Sequence, residues 1–192
     1  MKKGPKGFFY FYKSLKCNDH DHDGKLSCKE FIKALHEIRI ELLEKETVAI
    51  FNTFDKRKTG FIFIEDLIDK FIPPLVESRR DVVDELTNRL SDGECVNFSK
   101  ISNLYNARGH PDFSSGIKPD YVIKEDFFEM LNTFLHLTTG VSDRIPEANW
   151  IKFVELLSMA YDDDRFFDMM LRGTFRLSKY FGSQSQSEMS EK

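Results

Sequence analysis

The twelve residues that decide the fold of this chain are Asp19-His20-Asp21-His22-Asp23-Gly24-Lys25-Leu26-Ser27-Cys28-Lys29-Glu30. Ca²⁺ takes six to eight oxygen ligands, and loops of this length supply them from positions 1, 3, 5, 7, 9 and 12. Those positions hold Asp19, Asp21, Asp23, the Lys25 carbonyl group, Ser27 and Glu30. A glycine at position 6 permits the sharp turn, and Leu26 at position 8 is expected to point inward. An Asp-rich surface turn is the alternative, but such a turn would rarely supply all these features in order.

Apolar residues at helical spacing flank this stretch on both sides. Phe8, Phe11 and Leu15 precede it, and Phe31 and Leu35 follow it. A loop of this kind between two helices is an EF-hand, and EF-hands occur in pairs whose loops associate. Helical spacing continues through most of the chain. The sequence therefore predicts an all-α, calmodulin-like fold with two lobes of paired EF-hands, in which only the first loop is complete.

Residues 55–66 predict a second EF-hand loop that has lost its ligands. A glycine again stands at position 6 and Ile62 at position 8, but Arg57 places a cation at position 3. Asp66 at position 12 is one methylene shorter than the usual Glu, which weakens bidentate ligation. We expect this loop to bind no metal and to brace the first loop, with Leu26 and Ile62 facing each other in a short two-stranded contact.

The second half of the chain repeats this plan without metal ligands. Aligning Val96 with position 8 puts Arg89 at position 1 and Lys100 at position 12 of a third loop, so no calcium site is expected there. Residues 138–147 replace a fourth loop, and Lys152 is predicted to stand where its terminal Glu would be.

These signals divide the chain into three parts. Residues 1–74 form an N-terminal EF-hand pair that ends at Pro73-Pro74, because proline cannot continue a helix. Residues 75–181 form a degenerate C-terminal pair, whose last helix is predicted over 166–181. Residues 182–192 are too polar to build a core and are predicted to be a flexible tail.

The composition restricts the class of protein. The 192 residues are 31% charged and 41% hydrophobic, as in soluble globular proteins, and the net charge of −4 gives no reason to expect a nucleic-acid partner. No apolar run reaches the ~20 residues of a membrane span. Lys2 stands where N-myristoylation needs glycine, so no lipid anchor is expected. The cysteines, Cys17, Cys28 and Cys95, suggest reduced thiols in the cytoplasm.

Other residues admit both a structural and a functional interpretation. His20 and His22, with nearby cysteines, could bind a soft metal, but positions 2 and 4 of an EF-hand loop point outward. Asp162-Asp163-Asp164 are expected to cap a helix rather than to bind metal. The methionines of the second half could line a partner groove, although helical spacing favours the core; they are Met130, Met159, Met169 and Met170. Lys2, Lys3 and Lys6 are expected to be solvated, and Asn18 is expected to loosen the helix that enters the first loop.

Three further stretches carry a family resemblance. They are Phe71-Ile72-Pro73-Pro74, Leu104-Tyr105-Asn106-Ala107-Arg108-Gly109-His110-Pro111 with Ser115-Gly116, and Phe166-Phe167-Asp168-Met169-Met170. Together they resemble the calcyphosine family, cytoplasmic proteins with four EF-hands in two lobes. The resemblance implies this architecture. It also implies calcium binding at more than one loop, whereas only the first loop of this chain keeps the ligands.

The sequence contains no phosphate-binding glycine loop and no nucleophile with a paired base, so we expect no enzymatic activity. The leading hypothesis is a cytoplasmic protein that binds one Ca²⁺ ion in the first loop and thereby modulates contact with a protein partner. The alternative is a constitutive structural or adaptor protein of a cytoskeletal, axonemal or ciliary assembly, because loops without ligands cannot respond to calcium.

Overall fold

The computed structural model describes residues 4–72, 74–140 and 142–177, with side chains from residue 6 onward. Within these ranges the chain is mostly helical, and each short strand lies between two helices or next to another strand. The elements are α1 Gly4–Asn18, β1 Lys25–Ser27, α2 Cys28–Glu37, α3 Glu44–Phe54, β2 Phe61–Phe63, α4 Ile64–Phe71, α5 Glu77–Leu90, β3 Ser91–Asp92, β4 Cys95–Asn97, α6 Phe98–Leu104, a 3-10 turn at Ala107–Gly109, α7 Pro111–Ser114, α8 Asp120–Thr138, β5 Arg144–Pro146, α9 Glu147–Ser158 and α10 Asp164–Phe175. The predicted all-α, EF-hand-like fold is confirmed.

The first two loops pair as the sequence predicted. Strands β1 and β2 are antiparallel, and Leu26 lies directly opposite Ile62. Both side chains are buried, at 0% and 2% exposure, because they point from the strands into the core between the helices. The pairing fixes the position of the first loop relative to the second.

The third and fourth loops pair in a register that corrects one prediction. Strands β3, β4 and β5 form an antiparallel sheet in which Val96 lies opposite Ile145. Ile145 therefore takes position 8 of the fourth loop, and position 12 falls on Asn149. The prediction that Lys152 occupies that position is wrong, since Lys152 lies almost one turn further along α9.

Helix α1 packs against both halves of the molecule. The ring centroids of Phe9 and Phe153 are 5.6 Å apart, and those of Tyr12 and Phe134 are 6.3 Å apart. All four side chains are nearly inaccessible to solvent. The helix that leads into the first loop is thus part of the same apolar core as α8 and α9.

Lys6 also joins the two halves, contrary to the prediction that it is solvated. Its ammonium group lies 2.8 Å from a carboxylate oxygen of Asp126 and forms a second ion pair with Glu129. Hydrogen bonds to these carboxylates raise the pKa of Lys6.

A polar network around Glu65 crosses the same interface. Its carboxylate accepts hydrogen bonds from the Tyr12 hydroxyl at 2.7 Å and from Lys152 at 2.8 Å, and pairs with Lys16 at 2.9 Å. Burial favours the neutral carboxyl group, but the effect of these hydrogen bonds is larger and lowers the pKa of Glu65 to about 2. Lys152, whose ammonium also lies 2.9 Å from Asp69, therefore ties α9 to α4.

The end of α4 and the start of α10 lie beside the residues that the sequence predicts to end and to cap them. Helix α4 ends at Phe71, just before the two prolines, of which Pro73 lies outside the described residues. Asp163 caps α10 by accepting hydrogen bonds from the N–H groups of Arg165 and Phe166, which confirms the predicted capping role. The division between residues 74 and 75 stays a prediction.

The last described helix is shorter than predicted. Helix α10 ends at Phe175 rather than at residue 181, because Arg176 adopts a left-handed conformation with φ of 53°. The N–H group of Leu177 then bonds back to the carbonyl of Arg172. The predicted flexible tail, residues 182–192, lies outside the described residues.

The methionines do not form one surface. Met130 and Met170 are buried, Met159 is partly buried against the core, and Met169 is 55% exposed. Most of this set therefore belongs to the core.

Candidate metal centre

Three carboxylates of the first loop converge on one point. Asp19, Asp21 and Asp23 each offer an oxygen atom, and these atoms all lie within 4.8 Å of one another. Asp19 is buried, at 4% exposure, whereas the other two are exposed. Among the described residues, no other group of three or more His, Cys, Asp or Glu side chains is as closely assembled.

The backbone of the loop holds these carboxylates in place. Asp19 accepts hydrogen bonds from the N–H groups of Asp23 at 3.2 Å and Gly24 at 2.9 Å. His22 and Gly24 have φ values of 57° and 78°, which wrap the chain tightly around Asp19. Gly24 tolerates this conformation because it has no Cβ atom.

Ser27 and Glu30 contact each other at the start of α2. Glu30 Oε2 accepts hydrogen bonds from the Ser27 N–H and hydroxyl groups, both at 2.8 Å, and the Ser27 hydroxyl caps the helix. This capping box satisfies N–H groups that a helix start leaves free. The structure thus brings together three of the predicted ligands, whereas Glu30 contacts Ser27 and is not part of the three-carboxylate group.

The side chain of Lys25 pairs with the carboxylate group of Asp23. Its ammonium donates to Asp23 Oδ2 at 2.8 Å and lies 5.7 Å from the centroid of the Phe63 ring. The hydrogen bond from Lys25 lowers the pKa of Asp23, and the same contact raises the pKa of Lys25. Lys25 therefore provides positive charge where the carboxylates are concentrated.

The donor set fits a hard divalent cation. All six predicted ligand positions, which are Asp19, Asp21, Asp23, the Lys25 carbonyl, Ser27 and Glu30, supply oxygen, and four of them are carboxylates. Oxygen-only sites with several carboxylates suit Ca²⁺, while Zn²⁺ sites draw mainly on nitrogen and sulfur. The assignment of these residues as ligands stays a prediction.

The soft-metal alternative finds no support in the geometry. His20 and His22 are exposed, and the three cysteines are free thiols. Burial and the nearby Glu44 raise the pKa of Cys28, so its thiol stays protonated at neutral pH. None of these side chains joins a potential metal-binding group within the described residues.

Asn18, just before the loop, fastens the structure instead of loosening it. Its side chain is 1% exposed and donates hydrogen bonds to the Ser14 carbonyl at 2.9 Å and to Glu37 at 2.8 Å. Ser14 also donates to Glu37, so α1 and α2 are joined by polar contacts. The sequence does not reveal this role, because a single buried amide leaves no periodic pattern.

The second loop keeps the frame of the first without its ligands. Asp55 is buried and accepts hydrogen bonds from the N–H groups of Thr59 at 2.8 Å and Gly60 at 2.7 Å. The next positions that would bear ligands, Arg57 and Thr59, offer a cation and a hydroxyl. A cation at position 3 disfavours a divalent metal ion, and the absence of metal binding at this loop stays a prediction.

The third loop has a lysine at the position where a calcium site has its terminal carboxylate. Lys100, at position 12, donates from its ammonium group to the Ser91 carbonyl at 2.9 Å. The loop itself is reduced to a hairpin in which Gly93, with φ of 72°, permits the turn between β3 and β4. The side chain that would close a calcium site is thus a cation that binds the backbone.

Comparisons with known proteins give one informative relative. The chain is 23% identical to crustacean calcium-binding protein 23 from Faxonius limosus over 174 residues, which cover 89% of this chain and 84% of the relative. No family model matches the chain. Within the described residues, no helix has the length and apolar character needed to cross a membrane.

Proposed function

We propose that this chain is a non-enzymatic calcium-binding protein in which a single Ca²⁺ ion in the first loop modulates contact with a protein partner. The observation that carries the proposal is the convergence of three carboxylates within 4.8 Å, on a loop already held by its own N–H groups. Similarity to a crustacean calcium-binding protein supports it. The calcyphosine type remains part of the proposal, because it rests on the resemblance of local stretches.

Calcium would be held by Asp19, Asp21, Asp23, the Lys25 carbonyl, Ser27 and Glu30. The ion supplies a positive charge that offsets the repulsion between the clustered carboxylates. In this arrangement the ion would compete with Lys25 for the Asp23 carboxylate and with Ser27 for the Glu30 carboxylate. Because α1 is anchored in the core beside Phe134 and Phe153, we infer that α2 adjusts more than α1 does.

Calorimetric titration with Ca²⁺ tests the proposal. Wild type is expected to bind one ion with a dissociation constant in roughly the 10⁻⁷ to 10⁻⁵ M range, and Glu30→Gln is expected to bind far more weakly. The matched control is Glu46→Gln, since Glu46 makes the same kind of helix-start contact, to the Leu43 N–H group, far from the loop ligands. Absence of binding to wild type at physiological Mg²⁺ would refute calcium binding.

A conformational readout separates modulation from passive binding. Trp150 is buried in the second half of the molecule at 1% exposure. A calcium-dependent change in its fluorescence, together with increased binding of a hydrophobic dye, would show that the loop affects the rest of the chain. If Ca²⁺ binds and neither signal moves, modulation fails while binding stands.

The second candidate is a constitutive structural or adaptor protein of a cytoskeletal or ciliary assembly. It is favoured by the contacts that fix α1 to the second half, including the Lys6 ion pairs and the Glu65 network. Under this hypothesis partner capture is the same with Ca²⁺ and with chelator. A cytoplasmic location belongs to both proposals, and the free cysteines support it.

A further inference from the structure

A groove of about 900 Å³ opens beside the second loop, between the end of α3 and α4. We call it the loop-2 groove and define it by Phe54, Lys56, Arg57, Phe61, Phe63 and Lys70. Its size is within the range of sites that bind a ligand or a few side chains of a polypeptide.

The groove has an excess of positive charge and contains cations that form no ion pair with a described residue. Lys56, Arg57 and Lys70 are exposed, and none of them has an ion-pair partner among the described residues. Four cations and three carboxylates line the groove, so its lining has a net charge of +1, whereas the whole chain has a net charge of −4. The carboxylates are Asp55, Asp66 and Asp69, and Asp69 also pairs with Lys152.

Two aromatic rings border the same groove. Phe61 and Phe63 are 47% and 49% exposed, whereas Ile62 between them is buried, because alternate residues of a strand point to opposite faces. Burying such rings against a partner removes apolar area from water and thereby stabilises the complex. Aromatic groups and Arg are also the residues most enriched in protein interfaces.

We propose that the loop-2 groove is a docking site for an acidic polypeptide segment that carries an apolar or aromatic side chain. Acidic side chains complement Lys56, Arg57 and Lys70, and the apolar side chain packs between Phe61 and Phe63. A bilayer is a poorer occupant, since a concave groove does not match a flat surface. The inference rests on the proposed function in one respect, namely that the partner is a protein.

Lys25 links this groove to the first loop. It lines the groove, pairs with Asp23 in the first loop, and lies over the ring of Phe63. Coordination of Ca²⁺ by Asp23 would draw that carboxylate away from Lys25, so the charge of Lys25 would be less neutralised at the groove. Calcium and an acidic segment should therefore strengthen each other's binding by the same factor.

Docking is tested by fluorescence anisotropy with a labelled random copolymer of glutamate and tyrosine, using the full chain in calcium-free buffer. The double variant Lys56→Glu with Arg57→Glu is expected to weaken binding at least about tenfold, the equivalent of one charge-assisted hydrogen bond. The matched control, Lys45→Glu with Lys124→Glu, changes the net charge equally at exposed sites outside the groove and should stay near wild type.

The aromatic part and the class of partner are tested with the same probe. Phe61→Ser should weaken binding several-fold, whereas Ile117→Ser, which alters an equally apolar exposed side chain elsewhere, should not. Equal loss in both charge variants, or stronger binding to phosphatidylserine vesicles or to polyuridylic acid than to the copolymer, overturns the proposal. Circular dichroism establishes that every variant is folded.

The coupling between calcium binding and docking is tested separately from docking itself. Adding Ca²⁺ should tighten copolymer binding to wild type severalfold, and Lys25→Gln should abolish this increase at a Ca²⁺ concentration that calorimetry shows to saturate the variant. If the copolymer binds through Lys56 and Arg57 but ignores Ca²⁺, docking stands and calcium modulation is refuted. If Ca²⁺ binds but the copolymer does not, calcium binding stands and the docking site is refuted.

Discussion

The first two loops follow the same backbone path but carry different side chains at the positions that would bind an ion. At position 4, φ is 57° in His22 and 52° in Lys58, and at position 6 it is 78° in Gly24 and 81° in Gly60. In both loops the first aspartate is buried and accepts the N–H group of the position-6 glycine, at 2.9 Å and 2.7 Å. The difference lies in the side chains at positions 3 and 5, which are acidic in one loop and not in the other.

The comparison separates the residues that shape an EF-hand loop from those that would bind the ion. The first aspartate, the glycine and the buried apolar residue at position 8 are common to both loops and suffice for the conformation. The carboxylates at positions 3 and 5 are replaced by Arg57 and Thr59 in the second loop without loss of the frame. The second loop therefore retains its structural role, while its surface is free for other contacts.

The largest expected effect comes from giving the first loop a residue of the second. Asp21→Arg copies Arg57 at position 3, removing a carboxylate and placing a cation among the others. We expect Ca²⁺ affinity to fall at least about 100-fold, or ~2.7 kcal/mol. Calorimetry measures this, and Asp81→Arg on the exposed face of α5 is the control with the same change of charge. Unchanged binding by Asp21→Arg would remove this loop as the site.

The reverse exchange should create a second site. The triple variant Arg57→Asp, Thr59→Asp and Asp66→Glu supplies ligands at positions 3, 5 and 12 of a loop that already has the required backbone. We expect the stoichiometry to rise from one ion to two, the new site binding in roughly the 10⁻⁴ M range because Lys56 and Lys58 remain. A folded variant that still binds one ion would show that the frame alone is insufficient.

A smaller and symmetrical effect is expected from the two glycines. Gly24→Ala and Gly60→Ala each place a Cβ in a left-handed conformation, at a cost of about 1–2 kcal/mol. A Cβ atom at either position meets no other atom within 4 Å, so backbone strain is the whole effect. Denaturant unfolding in calcium-free buffer should show equal losses, and a loss in one variant alone would refute the equivalence of the two frames.

The smallest expected effect concerns position 11, where Glu65 is the counterpart of Lys29. Burial raises the pKa of Glu65, but hydrogen bonds from Lys152, Lys16 and Tyr12 lower it to about 2, below the ordinary value of 4.5. The unfolded chain then binds more protons, so this contribution is present above pH 4.5 and is lost as the pH falls towards 2.

Solvent screening keeps that contribution below about 1 kcal/mol, since Glu65 is partly exposed. Unfolding free energies measured between neutral and acidic pH should decline less steeply in Glu65→Gln than in wild type. The control Lys29→Gln, at the same position of the first loop, should follow wild type. A Glu65→Gln profile parallel to wild type would mean that the network does not stabilise the fold.

The sequence was sufficient where a local pattern encodes the structure. The spacing of Leu26 and Ile62 from their glycines predicted that they face each other, because the geometry of each loop fixes position 8. It was insufficient for the fourth loop, where position 6 is Asp143. Without a glycine there, no residue marks how the positions of the loop should be numbered. The predicted end of α10 failed for a similar reason, since Arg176 takes the left-handed position that glycine usually marks.

Contacts between distant segments left no trace in the sequence. Lys152 and Glu65 are 87 residues apart, and neither shows a pattern that names the other. The sequence shows the cations of the loop-2 groove as a loss of metal ligands. It does not show that they line one surface without ion-pair partners among the described residues. Whether a charged side chain has a partner depends on which helices meet, and this is decided by the packing of α1.

That packing also has a consequence for the order in which the protein folds during synthesis. Lys6 and Glu129, which form an ion pair, are separated by 123 residues, and Tyr12 and Phe9 find their aromatic neighbours later still in the chain. Domains form from the N-terminus as the ribosome releases them, but contacts this remote must await the late segments. The first loop leaves the ribosome well before α8 and α9, yet its leading helix cannot complete its packing until those helices have followed.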